Sequence, residues 1–177
     1  MFYKMLFVMG FSLVAVIIVF FLTTLTLLFF TRQKTKKNWK ELEYMWQRRC
    51  VAANKLIEFA TEIRKDRKSA AVLQRLKNDC ETANVKNKDE QVLANRKLEQ
   101  ACDEVLRLTI VSWDEKKDSE LAVYYDIKNE FMELDEKLLF TEKFYAKYAD
   151  RYNGLVSQFP TNMVAGLCDF GLIKSIK

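Results

Sequence analysis

Histidine is absent from this chain of 177 residues, proline occurs once and glycine four times. Each scarcity excludes something. Without imidazole there is no His-dependent acid–base catalysis and no Ser-His or Cys-His nucleophile. Carboxylate metal sites in helical bundles need Glu-x-x-His on facing helices, so they are excluded as well. Four glycines supply neither a GxGxxG turn nor a P-loop. Together the two shortages remove the usual punctuation of strands and turns, which leaves long helices as the expectation. Cys50, Cys80, Cys102 and Cys168 are far apart, with no CxxC pair and no metal-ligand spacing. They read as small buried apolar residues; an even count also admits disulfides in an oxidising compartment.

What is present begins with a long apolar run. From Met5 to Phe30 no side chain is charged, and about 20 such residues cross the ~30 Å hydrocarbon core as a helix. A cleavable signal peptide has an apolar core of only ~7–15 residues and then a small-residue cleavage site. Here the run passes straight into Thr31-Arg32-Gln33-Lys34. The expected organisation is a retained transmembrane anchor at 1–31, a basic juxtamembrane segment at 32–37 and a helical domain at 38–177.

The net charge of +5 is mostly local: Arg32, Lys34, Lys36, Lys37 and Lys40 precede the first acid, Glu41. Each such residue beside a span is attracted to anionic lipid by about 1 kcal/mol. The positive-inside rule then puts the C-terminal domain in the cytoplasm and the N-terminus outside, with Lys4 as a partial offset. The rest of the chain is nearly balanced and offers no basic patch for nucleic acid.

From Asn38 the pattern is helical. Leu42, Trp46, Ala53, Leu56, Ala60 and Ile63 form one stripe interrupted by Arg49. The charged run at 64–68 breaks it, and Leu73, Leu76, Cys80 and Ala83 resume in a new phase. The reading is one long helix, kinked near Asp66 and ending around Val85. Lys86-Asn87-Lys88-Asp89 is a turn with Asp89 as N-cap. A second helix, about Glu90 to Val111, carries Leu98, Cys102, Val105 and Leu108, widened by Ala94, Ala101 and Leu106. The last helix begins near Asp118 or Ser119. Its Tyr124, Ile127, Phe131, Leu134, Leu138, Thr141, Tyr145, Tyr148 and Tyr152 recur every 3.5 residues, the signature of left-handed helix packing. Pro160 stops it. The apolar tail 161–177 docks on the core, on lipid or on a second protomer.

The expected fold class is therefore all-α: an N-terminal transmembrane helix followed by an elongated antiparallel bundle of long helices. Several residues stand out within it. Arg49 lies on an apolar stripe beside Arg48, and a buried guanidinium needs a partner; Asp135 or Glu142 of the last helix would serve, or an anion held between helices. Glu133, Asp135 and Glu136 fan out over an exposed face. Tyr145, Tyr148 and Tyr152 read as core, with Asn153 or Asn162 as partners for their hydroxyls. Phe159-Pro160 reads as a helix stop with an apolar plug.

These residues resemble the LemA family of single-pass bacterial membrane proteins. Tyr145, Tyr152-Asn153, Phe159-Pro160 and Asn162-Met163-Val164-Ala165-Gly166 keep that family's spacing at the carboxyl end. Trp39, Leu42, Glu43, Trp46, Arg48-Arg49 and Leu56-Ile57-Glu58 look like its upstream motifs. The resemblance covers about Asn38 to Phe170 and implies a long antiparallel helical bundle behind one anchor. It implies no reaction, since the family has no agreed activity. Three departures weaken any shared polar site: Ala146 replaces the usual Asn, Val51-Ala52-Ala53-Asn54-Lys55 replaces Asp-Leu-Ile-Pro-Asn, and Glu142 replaces Arg.

The functional expectation is a non-enzymatic, membrane-anchored interaction protein without a cofactor. Its partners would be lipid, through residues 1–31 and the basic flank, and a protein or a second copy of itself. The alternative is a sensory or ligand-binding bundle facing the outside.

Overall fold

The computed structural model describes residues 2–83, 87–111 and 118–176. Every regular element among them is helical: α1 (Phe2–Glu58), a π-helical turn (Phe59–Ile63), α2 (Arg67–Ala83), α3 (Lys88–Val111), α4 (Asp118–Ser157) and α5 (Thr161–Leu167). The all-α expectation holds. α1 passes unbroken through residues 31–38, so the basic segment is itself helical. The chain forms two compact units, Met1–Leu42 with Phe140–Lys177 and Glu43–Leu139, and each takes part of α1 and part of α4.

Within Glu43–Leu139 the contacts give each helix its direction. Arg49 and Lys55 of α1 and Phe59 of the π-helical turn meet Asp135, Glu130 and Tyr124 of α4 in turn, so α1 and α4 run antiparallel. Glu43 and Arg49 meet Gln91 and Glu99 of α3, which runs parallel to α1. α2 packs on α3, and its Cys80 hydrogen-bonds to Cys50 of α1. The unit is an up-down-up-down arrangement of four helices.

That corrects the reading of one kinked helix from Asn38 to Val85. A continuous helix would separate Cys50 and Cys80 by about 45 Å at 1.5 Å per residue. Instead the chain reverses, and the cause is local. After the π-helical turn, Arg64 N–H donates to the Phe59 carbonyl at 3.1 Å and Asp66 N–H to the Ala60 carbonyl at 2.8 Å. Lys65 takes the left-handed conformation (φ 55°), which costs a non-glycine residue about 1–2 kcal/mol. Asp66 then caps α2, accepting from the Ser69 N–H at 3.2 Å and the Ser69 hydroxyl at 2.6 Å. Those hydrogen bonds hold its carboxyl below the usual aspartate range. The charged run is a helix end, a left-handed residue and an N-cap.

Two smaller shifts accompany it. Asn87, not Asp89, caps α3, its Oδ1 accepting from the Asp89 N–H at 3.2 Å. On α3, Leu106, expected only to widen the stripe, is buried, while Leu108, expected on it, is 46% exposed. The expected helix end at Val85, Lys86 of the turn and positions 112–117 lie outside the described residues.

The core of this unit joins Leu56, Phe59, Leu73, Leu98, Tyr124 and Phe131 with three sulfurs, Cys50, Cys80 and Cys102. All cysteines are free thiols, and these three are buried. Burial pushes the Cys102 thiol up to about 12. Cys80 is also pushed up, by its hydrogen bond to Cys50 and then by burial. Cys80 and Cys102 pack as protonated apolar groups, whereas the hydrogen bond with Cys80 holds the Cys50 thiol below the usual range.

In Met1–Leu42 with Phe140–Lys177, α1 and α4 again run antiparallel, since Trp39 stacks obliquely on Tyr145 at 5.1 Å while Leu28 shares a cluster with Tyr152. The buried face of α1 is Thr24, Leu28, Thr31, Thr35, Trp39 and Leu42. On α4, Ala149 takes the buried position expected for Tyr148, which is half-buried beneath the Lys34 ammonium.

Candidate functional site

The expected site residues fall into two groups, one in each unit. In the first, α4 aims a row of polar atoms at the extended tail. The Tyr145 hydroxyl donates to the Lys174 carbonyl at 2.6 Å, and the Tyr152 hydroxyl to the Gly171 carbonyl at 3.0 Å. Asn153 lies between them in the tail register: its Nδ2 donates to the Ile173 carbonyl at 2.6 Å and its Oδ1 accepts from the Ile173 N–H at 2.8 Å. An extended segment has unpaired peptide groups, and these side chains supply what a neighbouring strand would. Burial pushes the Tyr145 hydroxyl up to about 12 and raises Tyr152 as well, so both remain donors. The expectation that Asn153 or Asn162 would satisfy the tyrosines is corrected, because the hydroxyls take backbone carbonyls. Trp39 supports the row through its ring contact with Tyr145.

Phe159, Pro160 and Asn162 do not join this row. α4 ends at Ser157 as expected, and the Thr161 hydroxyl donates to the Leu155 and Gln158 carbonyls at 2.6 and 2.9 Å. Phe159 is 79% exposed, so it is no plug. The Phe159–Pro160 peptide is cis, and Asn162 is exposed.

In the second unit Arg48 and Arg49 part company. Arg48 faces solvent, while Arg49 is 2% exposed. Its Nη1 donates to Glu99 of α3 at 3.0 Å and its Nη2 to Asp135 of α4. Asp135 was legible from the sequence; Glu99 was missed, although it adjoins the stripe residue Leu98. Asp103, one turn beyond Glu99, completes the acidic group. Burial, then repulsion from Asp135 and Glu99, raises its carboxyl above the usual range. One guanidinium thus links three helices and offsets three carboxylates. That is structural work: it occupies Nη1 and Nη2, while the buried Nε has no hydrogen-bond partner among the described residues.

The same unit has a groove of about 400 Å³ beside the π-helical turn. Its floor is Phe59, Ile63, Val123 and Ile127, and its rim is Glu58, Glu62, Asp126 and a Lys55–Glu130 ion pair. Single π-helical turns inside helices are frequent at functional sites. Sequence reasoning missed this groove because it needs the end of α1 and its π-helical turn set against α4.

The geometry defines an all-helical protein whose longest helix carries a bare apolar end and whose α4 holds the tail. The model of the LemA family matches residues 38–175, and the chain belongs to that family. No curated protein matches it, and no solved structure does.

Proposed function

We propose that the protein is a membrane-anchored, non-enzymatic helical bundle that works by interaction, as a scaffold, adaptor or envelope-associated component. One observation carries this reading. α1 is long and apolar enough to cross a membrane, with most of its apolar stretch exposed, and the same unbroken helix continues into the bundle. Thr23, Thr26 and Thr31 return their hydroxyls to the carbonyls of Val19, Leu22 and Leu27, which suits a helix in hydrocarbon. The basic flank of Arg32, Lys34, Lys36, Lys37 and Lys40 follows at headgroup distance, favouring a cell-membrane location with the bundle on the cytoplasmic side. A non-catalytic role agrees with a sequence lacking histidine and with an Arg49 committed to structural ion pairs. The partners of this reading are lipid and a protein or a second copy, not nucleic acid.

Reporter fusions at Lys177 and crosslinked pulldown from native membranes test it together. A reporter active only in the cytoplasm, with a reproducible protein partner or self-adduct, is the expected result. An external reporter, or a chain recovered free of membranes, overturns it. The groove beside the π-helical turn favours a second reading, a ligand-binding bundle facing outside. Its apolar floor and acidic rim suit a cationic amphipathic molecule, and an external reporter would select it.

A further inference from the structure

We infer that the segment from Ser157 to Leu172 is a second membrane contact, a foot that dips into the lipid leaflet beside α1. This rests on the anchored reading above and extends it to residues far away in sequence. The segment has two faces. Val164 and Ala165 of α5 are buried with Leu28 and Tyr152, against half-buried Phe21 and Leu25 of the apolar run and Phe170 and Ile173 of the tail. The other face carries Phe159, Met163, Leu167 and Leu172, which are 79%, 61%, 78% and 68% exposed. Met163 and Leu167 are four residues apart on α5, so they fall on neighbouring turns of one side, and Phe159 precedes the helix. No charged side chain occurs between Arg151 and Asp169.

Lipid, rather than another occupant, follows from counting along α1. A span needs about 20 apolar residues, and the uncharged run begins at Met5. From Met9 to Phe20 every described side chain is exposed, whereas protein covers one face from Phe21 onward. Only about 16 residues, roughly 24 Å at 1.5 Å each, precede Phe21, which is short of the ~30 Å core. The hydrocarbon must therefore reach at least the level of Phe21 to Thr24, beside the Phe21 and Leu25 against which α5 packs. Side chains exposed on α5 at that level meet acyl chains and headgroups, where an apolar face is favoured. The charges agree. Arg32 lies one turn beyond Leu28, with its guanidinium 5.4 Å from the Phe170 ring, and Lys34, Lys36 and Lys37 are exposed just beyond it. That places a basic collar at headgroup depth.

The test uses the full chain in nanodiscs of phosphatidylcholine and phosphatidylglycerol. The photoreactive residue p-benzoylphenylalanine replaces Phe159 or Leu167, Ile18 as a marker of the anchor, or Leu93 of α3 as an exposed control. Mass spectrometry then scores the adducts after irradiation. The expected result is phospholipid adducts at 159 and 167 comparable with those at 18, and about tenfold fewer at 93. Adducts at 18 but not at 159 or 167 overturn the foot and leave the anchor standing. Protein–protein adducts at 159 and 167 in place of lipid overturn it in favour of a second copy. No lipid adduct at 18 removes the anchored reading and the foot with it. Hydrogen exchange at Ile173 checks that each variant keeps the tail bound.

Discussion

Asn153 holds both peptide groups of Ile173 at once, donating to its carbonyl at 2.6 Å and accepting from its N–H at 2.8 Å. A carboxamide suits this task because it carries a donor and an acceptor side by side. Asp has the same shape and lacks the donor. Asn153→Ala removes both hydrogen bonds, at about 1 kcal/mol each. Amide exchange at Ile173 and its neighbours should accelerate by about one to two orders of magnitude. Asn153→Asp should be at least as harmful, because it sets a carboxylate oxygen against the Ile173 carbonyl. Exchange rates in both variants equal to wild type would show that other contacts hold the tail.

The Tyr-Asn-Phe-Pro stretch shows how far residues alone reached. That Tyr145 and Tyr152 are buried was legible from their period along α4, and so was the helix stop before Pro160. Their partners were not, because the tail's carbonyls come from a segment without periodicity. Burial of Arg49 was likewise legible, since it interrupts an apolar stripe. Glu99 and Asp103 were not, because they reach Arg49 only if α3 runs parallel to α1. That direction depends on the reversal at Lys65. A sequence pattern records periods within helices, whereas one left-handed residue between two helices leaves no periodic trace.

Arg49 should behave as a structural tie rather than a ligand site. Its partners Glu99 and Asp135 are 40% and 35% exposed at their side chains. Losing the guanidinium should therefore cost about 2–3 kcal/mol, below the ~3–5 of a pair buried on both sides. Arg49→Met keeps the packing volume and isolates the charge. Thermal melts of Arg49→Met, Asp135→Asn and the double variant form a cycle, and a coupling of about 1 kcal/mol or more is expected. Strict additivity would remove the ion pair from the account.

Asp103 should make the bundle slightly less stable as pH rises. Burial and the carboxylates of Asp135 and Glu99 raise its folded pKa above the unfolded one. Between those two values the folded state binds more protons, so stability falls with rising pH; the cost is complete above the folded pKa. Asp103→Asn should thus raise the melting temperature at pH 7 by on the order of 1–2 °C, the effect being small because the carboxyl is only partly withdrawn from solvent. The gain should vanish below the ordinary aspartate range. A gain that grew on acidification would reverse the assignment.

Lys65 is where the fold forces a residue against its preference, and its replacement should stabilise the protein. It holds φ at 55° between the π-helical turn and the Asp66 cap, so the reversal that brings Cys80 back to Cys50 depends on this conformation. Glycine reaches that region without Cβ strain. It also gives the unfolded chain more freedom, which offsets part of the gain. The net effect of Lys65→Gly should be about 0.5–1 kcal/mol of added stability, or a melting temperature roughly 2–4 °C higher. Lys65→Val should lower it, because a β-branched side chain resists positive φ most. If valine melted at or above the glycine variant, the chain would not turn through a left-handed residue here, and the four-helix reading of Glu43–Leu139 would lose its hinge.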